Sequence, residues 1–506
     1  MTEKKKGNQS VRFTLLFLFL FSTIVQFCYQ ESSNNYASVH FKHRNSQSGL
    51  VKSGDGPSYL NPPLNFLTTG QWKDAGNDRS SYYLRAPGYG LFLAPHIAIG
   101  VNERNVFGVL IRFSQLFLNA IVPVLVFLIF FKLSNSYRSA LLVGVMALAP
   151  VFTAYSNYLL SEAVTPVLLL SILYLMIQRP KWSLLLGTLI GYLVLVRPAF
   201  LLVLLVIMVV HWLYHRDWRY LITISVLATL PWGIWEWRSQ VHEKPFDSIE
   251  QVFHPIYDAS NSDYWRLPHQ SLYSLVKLSN PEPIHFHQWH KTQWKSVRNG
   301  EKVDTLKVMK QLFGPAISLF LGNDKLVGIG SAYFQTWTEI PIWSSKQQHS
   351  PKEIKLAAML RQVKINYVKQ NVWDTQVLVP MKVLSGLLFH SYVNHSTYWE
   401  TDYSGGQRLI SIILSSFFFS CFVLAVLGPF IVRTQYLKLS GHALFFIDLV
   451  AAFLAGYLFY LSWIQRGVEK RYLYPALLLA VLAASVIVLQ VLRRSAKPDA
   501  SSNSRA

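Results

Sequence analysis

Long apolar runs separated by short polar connections recur along the chain. The first run extends from Phe13 to Cys28, and the last ends at Leu492, just before a basic tail. A helix rises about 1.5 Å per residue, so about 20 apolar residues cross the hydrocarbon core of a bilayer. The pattern predicts about ten transmembrane helices, at residues 13–28, 106–131, 138–155, 157–177, 182–196, 199–214, 220–237, 409–432, 441–464 and 471–492.

Two polar stretches interrupt this pattern. Residues 30–104 are rich in Ser, Asn, Gly and Pro, and residues 238–407 combine mixed charges with enough Trp, Tyr and Phe to fold. We therefore predict an all-α polytopic membrane protein with an external soluble domain of mixed or mainly helical structure. Apolar residues three and four positions apart predict helices at 304–313 and 351–372 in that domain. The expected divisions are a membrane module at 1–237 with seven spans and a first external loop at 30–104, an external domain at 238–407, three spans at 408–493 and a cytoplasmic tail at 494–506.

Composition and charge support the membrane interpretation. The 506 residues are 51% hydrophobic and 14% charged, which excludes an ordinary soluble enzyme and a disordered chain. The net charge of +21 lies largely in alternate short connections, as expected when both termini are cytoplasmic. These cations indicate membrane lipids as partners and no nucleic acid. Cys28 and Cys421 both lie in apolar runs, so neither a disulfide framework nor a cysteine metal site is predicted.

Several charged residues fall within or beside the apolar runs. A charge in the hydrocarbon costs about 2.5–3.5 kcal/mol on insertion scales, so each needs a partner, water or a function. In the predicted orientation Arg112, Glu162 and Arg197 lie in the outer part of the membrane, at the depth of Glu469 and Arg471. They predict a wet cavity, open to the outside, that holds a lipid headgroup. The alternative is that Arg112 and Glu162 pair to fix helix packing, or that Arg197 and Arg471 reach lipid headgroups.

The first external loop carries an acid and a base in turn-forming surroundings. Asp55 lies between two glycines, so the backbone beside it can approach a ligand closely. Its carboxylate is placed to act as a general base toward a hydroxyl at the outer leaflet. Arg85 precedes a Pro-Gly turn, and its guanidinium suits a phosphate leaving group. The alternative is that Asp55 caps a short helix and Arg85 contacts lipid phosphate.

Five segments, in this order, resemble the GT-C superfamily of membrane glycosyltransferases, in particular the bacterial members grouped with the protein mannosyltransferase and aminoarabinose transferase families. The segments are Asp55 with Tyr59, the run from Ala86 to Leu93, Ser161-Glu162-Ala163, Arg197-Pro198, and Glu469-Lys470-Arg471-Tyr472-Leu473-Tyr474-Pro475. The resemblance covers about the first 240 and the last 40 residues. The segment 238–407 lies outside it.

The resemblance implies roles for individual residues. Asp55 would be the catalytic base. The donor phosphate would be bound by Arg85, Arg197 and Arg471. The substrate would contact Tyr59, Glu162, Glu469 and Tyr472. Many family members have two adjacent acids in this loop, whereas Asp55 is flanked by glycines, so we predict no required cofactor and leave a divalent metal possible but unsupported. His285, His287 and His290 have no acid or cysteine at ligand spacing, so no metal residues are assigned.

A sugar linked to polyprenyl phosphate carries its own leaving group, so a protein must supply a base, positive charge and shelter from water. We predict an inverting glycosyltransferase that moves a sugar from a polyprenyl-phosphate carrier to an envelope glycan or lipid acceptor. It would act on the external face of a bacterial inner membrane. An O-antigen polymerase or ligase is the alternative and would not depend on Asp55. A lipid-linked sugar transporter would show repeats and broken mid-membrane helices, of which the sequence offers only Asp448 and Pro166 as hints. A non-catalytic scaffold would tolerate replacement of Asp55, Arg85 and Glu162 together.

Overall fold

The computed structural model describes residues 2–40, 49–50, 56–72, 86–100, 104–153, 155–178, 182–242, 267–279, 283–339, 351–389, 405–434, 439–466 and 470–495. Throughout these ranges the chain is helical or irregular and contains no β-strand. The prediction of an all-α polytopic membrane protein is confirmed.

In the described residues, the first half of the chain forms ten α-helices, most of them apolar. They are α1 (Thr2–His40), α2 (Gly56–Thr69), α3 (Gly88–Ile99), α4 (Arg104–Ala120), α5 (Val122–Ser134), α6 (Tyr137–Met146), α7 (Thr165–Gln178), α8 (Ser183–Val196), α9 (Leu201–His215) and α10 (Trp218–His242). A 3-10 turn at Ser161–Ala163 precedes α7. It places Glu162 at the entrance of that helix rather than inside it.

The second half contributes eight further α-helices to the part of the chain that the structure describes. They are α11 (Leu267–Val276), α12 (Pro283–Arg298), α13 (Thr305–Glu339), α14 (Pro351–Gln370), α15 (Val379–Leu388), α16 (Gly405–Thr434), α17 (Gly441–Phe459) and α18 (Tyr474–Ser495). The helices predicted at 304–313 and 351–372 correspond to the start of α13 and to α14.

Seven helical stretches in the described residues are long and apolar enough to cross a membrane. They are Ser10–Asn35, Val106–Ser134, Ser161–Gln178, Pro198–His215, Leu409–Thr434, Gly441–Gln465 and Arg471–Arg493. The predicted spans at 138–155 and 182–196 correspond to the shorter apolar helices α6 and α8. The predicted span at 220–237 corresponds to α10.

The predicted span at 138–155 differs from the structure in one respect. Its helix ends at Met146, and irregular turns continue until α7 begins. Irregular backbone at membrane depth needs hydrogen-bond partners from the protein. Gln30 and Gln115 supply them, because both side-chain amides donate to the carbonyl of Ser156, at 3.1 and 3.3 Å. Both glutamines are fully buried.

Helix α1 extends well beyond its apolar run because one of its faces is polar and buried. Ser22, Gln26 and Gln30 recur every four residues and are fully buried. The opposite face exposes large apolar side chains such as Phe13 and Leu16, as expected of a helix in contact with lipid. The end of α1 predicted from hydropathy alone is therefore too early.

Helices α11 to α14 enclose a hydrophobic core of their own. Its fully buried members include Leu272, Met309, Phe313 and Leu360. Burial raises the pKa of Tyr333 in this core well above its ordinary value, so that phenol stays neutral. This core is separate from the one that the membrane helices share.

The segment that includes α11 to α14 is attached to the end of α17 at which Arg466 lies. Trp463 Nε1 and Arg466 Nη2 donate to the backbone and side-chain oxygens of Gln376, at 2.8 and 2.9 Å. Lys277, which is buried, donates to the carbonyl of Gln465 at 3.0 Å. The predicted domain boundaries at 237 and 407 remain a prediction.

Candidate active site

Glu162 lies between two arginines from distant parts of the chain. Its Oε1 atom is 3.6 Å from Nη1 of Arg197 and 3.7 Å from Nε of Arg471. Glu162 and Arg197 are buried, at 5% and 9% exposure. Within these three residues, one carboxylate faces two guanidinium groups. We call these three residues the arginine–glutamate cluster.

The buried guanidinium of Arg197 has hydrogen-bonding capacity to spare. Within the described part of the chain its Nη1 atom has no hydrogen-bond partner, and the contact with Glu162 is longer than a hydrogen bond. A buried N–H group without an acceptor is costly, and more so on a charged group. The cluster is therefore prepared to accept an anion.

The aromatic ring of Tyr472 contacts the guanidinium groups of both arginines. The Cζ atoms of Arg197 and Arg471 lie 4.8 and 5.2 Å from the centre of its ring. Its carbonyl accepts a hydrogen bond of 2.7 Å from the hydroxyl of Tyr457, which is itself buried. Cations over an aromatic face are attracted by the ring quadrupole. The structure thus places Tyr472, predicted as a substrate contact, beneath the two guanidinium groups.

The turn that carries Glu162 is held by two buried amide side chains of α4. Asn119 Nδ2 donates to the carbonyl of Ala163 at 2.8 Å, and Gln115 Nε2 donates to that of Tyr158 at 3.1 Å. Gln115 and Asn119 are 0% and 1% exposed. Their donors occupy carbonyls that the irregular chain leaves without helical partners. They therefore fix the position of Glu162.

Tyr59 and Tyr89 connect the first loop to this turn. The hydroxyl of Tyr59 lies 3.4 Å from Oγ of Ser161, which in turn donates to Oε2 of Glu162 at 3.3 Å. The Tyr59 ring meets that of Tyr89 edge to face, with centroids 5.1 Å apart. Tyr89 donates to Oε1 of Gln115 at 2.7 Å. Helices α2 and α3 are thereby tied to the cluster.

Gly88 explains the Pro-Gly-Tyr segment. A Cβ atom added to Gly88 would lie 2.4 Å from the nitrogen of Val196 and 2.5 Å from the carbonyl carbon of Leu195. These atoms are backbone and immediately precede Arg197. Only glycine allows α3 to approach the end of α8 this closely. The hydroxyl of Tyr192 donates to the carbonyl of Gly88 at 3.0 Å and closes the contact.

Three of the predicted site residues, Asp55, Arg85 and Glu469, lie outside the described residues. Asp55 immediately precedes α2 and is four residues from Tyr59, which is at most about 14 Å of extended chain. Arg85 is three residues before Gly88. Tyr59, near Asp55, therefore contacts the turn that carries Glu162, and Gly88, near Arg85, contacts the backbone that leads into Arg197.

Two other charged residues lie away from this cluster. Arg112 forms an ion pair with Glu31 and donates to Oε1 of Gln30 at 3.1 Å. The alternative that Arg112 pairs with Glu162 is therefore wrong. Asp448 accepts hydrogen bonds of 3.0 and 2.8 Å from the guanidinium of Arg433. That ion pair gives Asp448 a structural partner.

In the described ranges, no group of three or more His, Cys, Asp or Glu side chains could hold a metal ion. The side chains of His285 and His287 lie outside what the structure describes, and His290 is buried in the core of the external helices. The arginine–glutamate cluster brings a single carboxylate and two cations together, a donor set unsuited to a divalent cation.

The sequence interpretation overlooked Gln115, Asn119 and Tyr457. The first two lie one helical turn apart in an otherwise apolar span, and the rule applied to charged residues also applies to amides. Counting all hydrogen-bonding side chains in the spans would have found them. Tyr457 gave no such signal, because tyrosine is common in membrane helices.

No protein-family model and no curated protein sequence matches the chain. Solved structures do match. ArnT from Cupriavidus metallidurans in the apo state aligns with 87% of this chain and 73% of its own, at 14% identity and a TM-score of 0.33. The same protein bound to undecaprenyl phosphate aligns with 95% of this chain and 78% of its own, at 14% identity and a TM-score of 0.35.

A third match is the archaeal oligosaccharyltransferase AglB from Archaeoglobus fulgidus, solved with an inhibitory peptide and a dolichol-phosphate. It aligns with 95% of this chain and 50% of its own, at 10% identity and a TM-score of 0.43. This chain thus spans half the length of AglB. The reaction is therefore argued from the residues of the arginine–glutamate cluster.

Proposed function

We propose that the chain is an inverting glycosyltransferase. It takes a sugar from a polyprenyl-phosphate carrier and transfers it to an envelope glycan or lipid acceptor on the external face of a bacterial inner membrane. The observation that supports this most strongly is the buried Arg197, whose Nη1 atom has no acceptor among the described residues. Arg471 brings a second guanidinium group to the same carboxylate, and paired guanidinium groups suit the phosphate of such a carrier.

The proposed division of roles follows from position. Arg197 and Arg471, with Arg85 of the first loop, bind the donor phosphate and stabilise the charge that develops on it. Glu162 holds the two guanidinium groups and contacts the sugar or the acceptor, together with Tyr59, Glu469 and Tyr472. Because Tyr472 lies beneath both guanidinium groups, its contribution is mainly to their orientation.

Asp55 is proposed as the base. Its carboxylate removes the proton from an acceptor hydroxyl, whose oxygen attacks the anomeric carbon of the sugar. The bond from that carbon to the phosphate oxygen breaks, and polyprenyl phosphate leaves with the electron pair. A single displacement of this kind inverts the anomeric centre. The phosphate is a good leaving group, so proton donation to it is unnecessary when arginines neutralise its charge.

The first experiment compares binding of undecaprenyl phosphate, as a probe, to purified wild-type protein and to Arg197→Gln. We expect at least a tenfold loss of affinity in the variant. Arg433→Gln is the matched control, because it also removes a paired arginine but one that contacts Asp448. Equal affinities of all three proteins would refute the phosphate site, as would an equal loss in both variants.

The second experiment tests the reaction. Envelope glycans and lipid-linked sugars are compared by mass spectrometry in a deletion strain that carries wild-type protein or Asp55→Asn at equal membrane abundance. The proposal requires loss of one sugar from one glycan and accumulation of its lipid-linked donor in the Asp55→Asn strain. Unchanged glycans would exclude Asp55 as the base and favour a polymerase, transporter or scaffold.

A further inference from the structure

Helix α15 belongs to the polar segment 238–407 by sequence, yet it packs among the membrane helices. Val383 and Leu387 are fully buried, in the same hydrophobic core as α16, α17 and α18. At the end of α15, the ring of Phe389 lies 4.2 Å from that of Phe419 on α16. Phe419 is ten residues beyond Leu409, the start of a candidate membrane span. At about 1.5 Å per residue that is about 15 Å along the span.

A second set of contacts gives a consistent depth. Gly428 on α16 faces Ile447 of α17. A Cβ atom added to Gly428 would lie 3.0 Å from Cγ2 of Ile447. The two helices are antiparallel, so Phe419, nine residues before Gly428, is level with about residue 456. The π-helical turn Asp374–Leu378, which precedes α15, instead meets Trp463 through Gln376; Trp463 lies in the π-helical turn Tyr460–Gln465 that continues α17. The chain therefore descends about 10 Å along α17 between Gln376 and Phe389.

Three of the five exposed positions at residues 378–389, on α15 and at its two ends, are apolar. Leu378, Met381 and Phe389 are 41%, 50% and 53% exposed. Ser385, on the same face, satisfies its hydroxyl by donating to the carbonyl of Lys382 at 3.0 Å. Such bonding back to the preceding turn is how serine is accommodated in membrane helices. The long stem of Lys382 allows its ammonium group to reach toward the headgroups.

Neighbouring helices indicate what covers this face. On α16, Leu409, Ile412 and Ile413 are each more than half exposed, near the level at which α15 enters. A surface of this kind on a membrane protein is covered by lipid. The face of α15 is continuous with it through the contact of Phe389 with Phe419.

We infer that α15 enters the outer leaflet from the outside and that its exposed face binds the acyl chains of the surrounding lipid. The segment predicted as wholly external thus includes a helix embedded in the membrane. This inference is independent of the proposed glycosyltransferase reaction, because it concerns packing and lipid contact alone.

Spin labels test the inference directly. In a protein whose two cysteines are replaced (Cys28→Ser, Cys421→Ala), single cysteines at Met381 and Ser385 carry a nitroxide. The protein is placed in nanodiscs of phosphatidylethanolamine and phosphatidylglycerol. Collision with oxygen, which concentrates in hydrocarbon, is compared with collision with a water-soluble nickel chelate. Ile413→Cys is the lipid-exposed reference, and Ile354→Cys, an exposed apolar position on α14, is the water-exposed reference.

We expect both α15 labels to follow Ile413→Cys, with several-fold preference for oxygen, and Ser385→Cys to be the deeper of the two. Labels that follow Ile354→Cys would overturn the inference, since α15 would then face water. Low access to both reagents would also overturn it, since protein rather than lipid would cover the face. If a labelled protein loses its monodisperse elution, Leu378→Cys on the same face replaces it.

Discussion

Gly88→Ala tests whether the Pro-Gly-Tyr segment exists to let α3 contact the chain that leads into Arg197. The added methyl would lie 2.4 Å from the nitrogen of Val196 and 2.7 Å from the oxygen of Leu195. Backbone atoms cannot rotate away as a side chain can, so α3 and the end of α8 must separate by about 1 Å. Overpacking of this kind costs about 1–3 kcal/mol.

Two smaller effects act in opposite directions. Separation weakens the hydrogen bond of 3.0 Å from Tyr192 to the carbonyl of Gly88, worth about 1 kcal/mol. Alanine favours a helix over glycine by up to about 1 kcal/mol. The two cancel, so the net destabilisation expected is about 1–3 kcal/mol. For a chain of this length, that corresponds to a fall of about 1–3 °C in unfolding temperature.

The assay is thermal unfolding in detergent, followed by tryptophan fluorescence at one fixed scan rate, because membrane proteins commonly unfold irreversibly. Gly233→Ala in α10 is the matched control, because a Cβ there has no heavy atom within 4 Å. It should leave the unfolding temperature unchanged or slightly raised. Undecaprenyl phosphate should also bind at least tenfold more weakly to Gly88→Ala, because Val196 precedes Arg197. Unfolding of Gly88→Ala within 1 °C of the control would refute the reasoning.

Three further substitutions test other contacts. Glu162→Gln should strengthen binding of undecaprenyl phosphate at least tenfold. A carboxylate about 6 Å from the bound phosphate repels it by about 3 kcal/mol at an effective dielectric constant of about 20, and the substitution removes that repulsion. It should also lower the unfolding temperature, since two guanidinium groups lose their counter-charge; weaker phosphate binding at equal protein abundance would contradict this prediction. Asn119→Leu should cost about 1–3 kcal/mol in thermal unfolding, because the carbonyl of Ala163 loses its donor at 2.8 Å; an unchanged unfolding temperature would show that this carbonyl needs no partner from α4. Gly49→Ala should lower the unfolding temperature more than Gly70→Ala. Both glycines have a positive φ, of 75° and 73°, but only at Gly49 would an added Cβ meet Arg112, at 2.4 Å from its Nη1 atom. Equal falls in unfolding temperature would mean that backbone strain alone is responsible.

The sequence predicted the helical membrane architecture because hydropathy is a local property. A run of apolar residues demands burial in lipid or protein whatever its neighbours are, and the spans around Val106, Leu409 and Gly441 show this. The same local reasoning failed at Met146, where α6 ends early. The irregular chain that follows α6 bonds to the amides of Gln30 and Gln115 at Ser156, and both glutamines are more than 25 residues away along the chain.

The sequence also predicted one outer cavity for Arg112, Glu162, Arg197, Glu469 and Arg471, from the cost of placing charges in hydrocarbon. The structure brings Glu162, Arg197 and Arg471 together and places Arg112 elsewhere. The sequence left open which of them pair, because the cost of a charge in hydrocarbon shows that a residue needs a partner but not which residue that partner is. Tertiary structure assigned Arg112 to Glu31 and gave Glu162 both remaining arginines.

The amino-acid sequence thus specifies the set of elements and the charged residues that need a partner in the membrane. The tertiary structure alone shows which distant segments meet: Gly88 against Val196, Tyr472 beneath two guanidinium groups, and α15 among the spans. The difference is one of distance along the chain. Hydropathy and helix propensity act between residues a few positions apart, whereas close packing and ion pairing depend on atoms brought together by the whole fold.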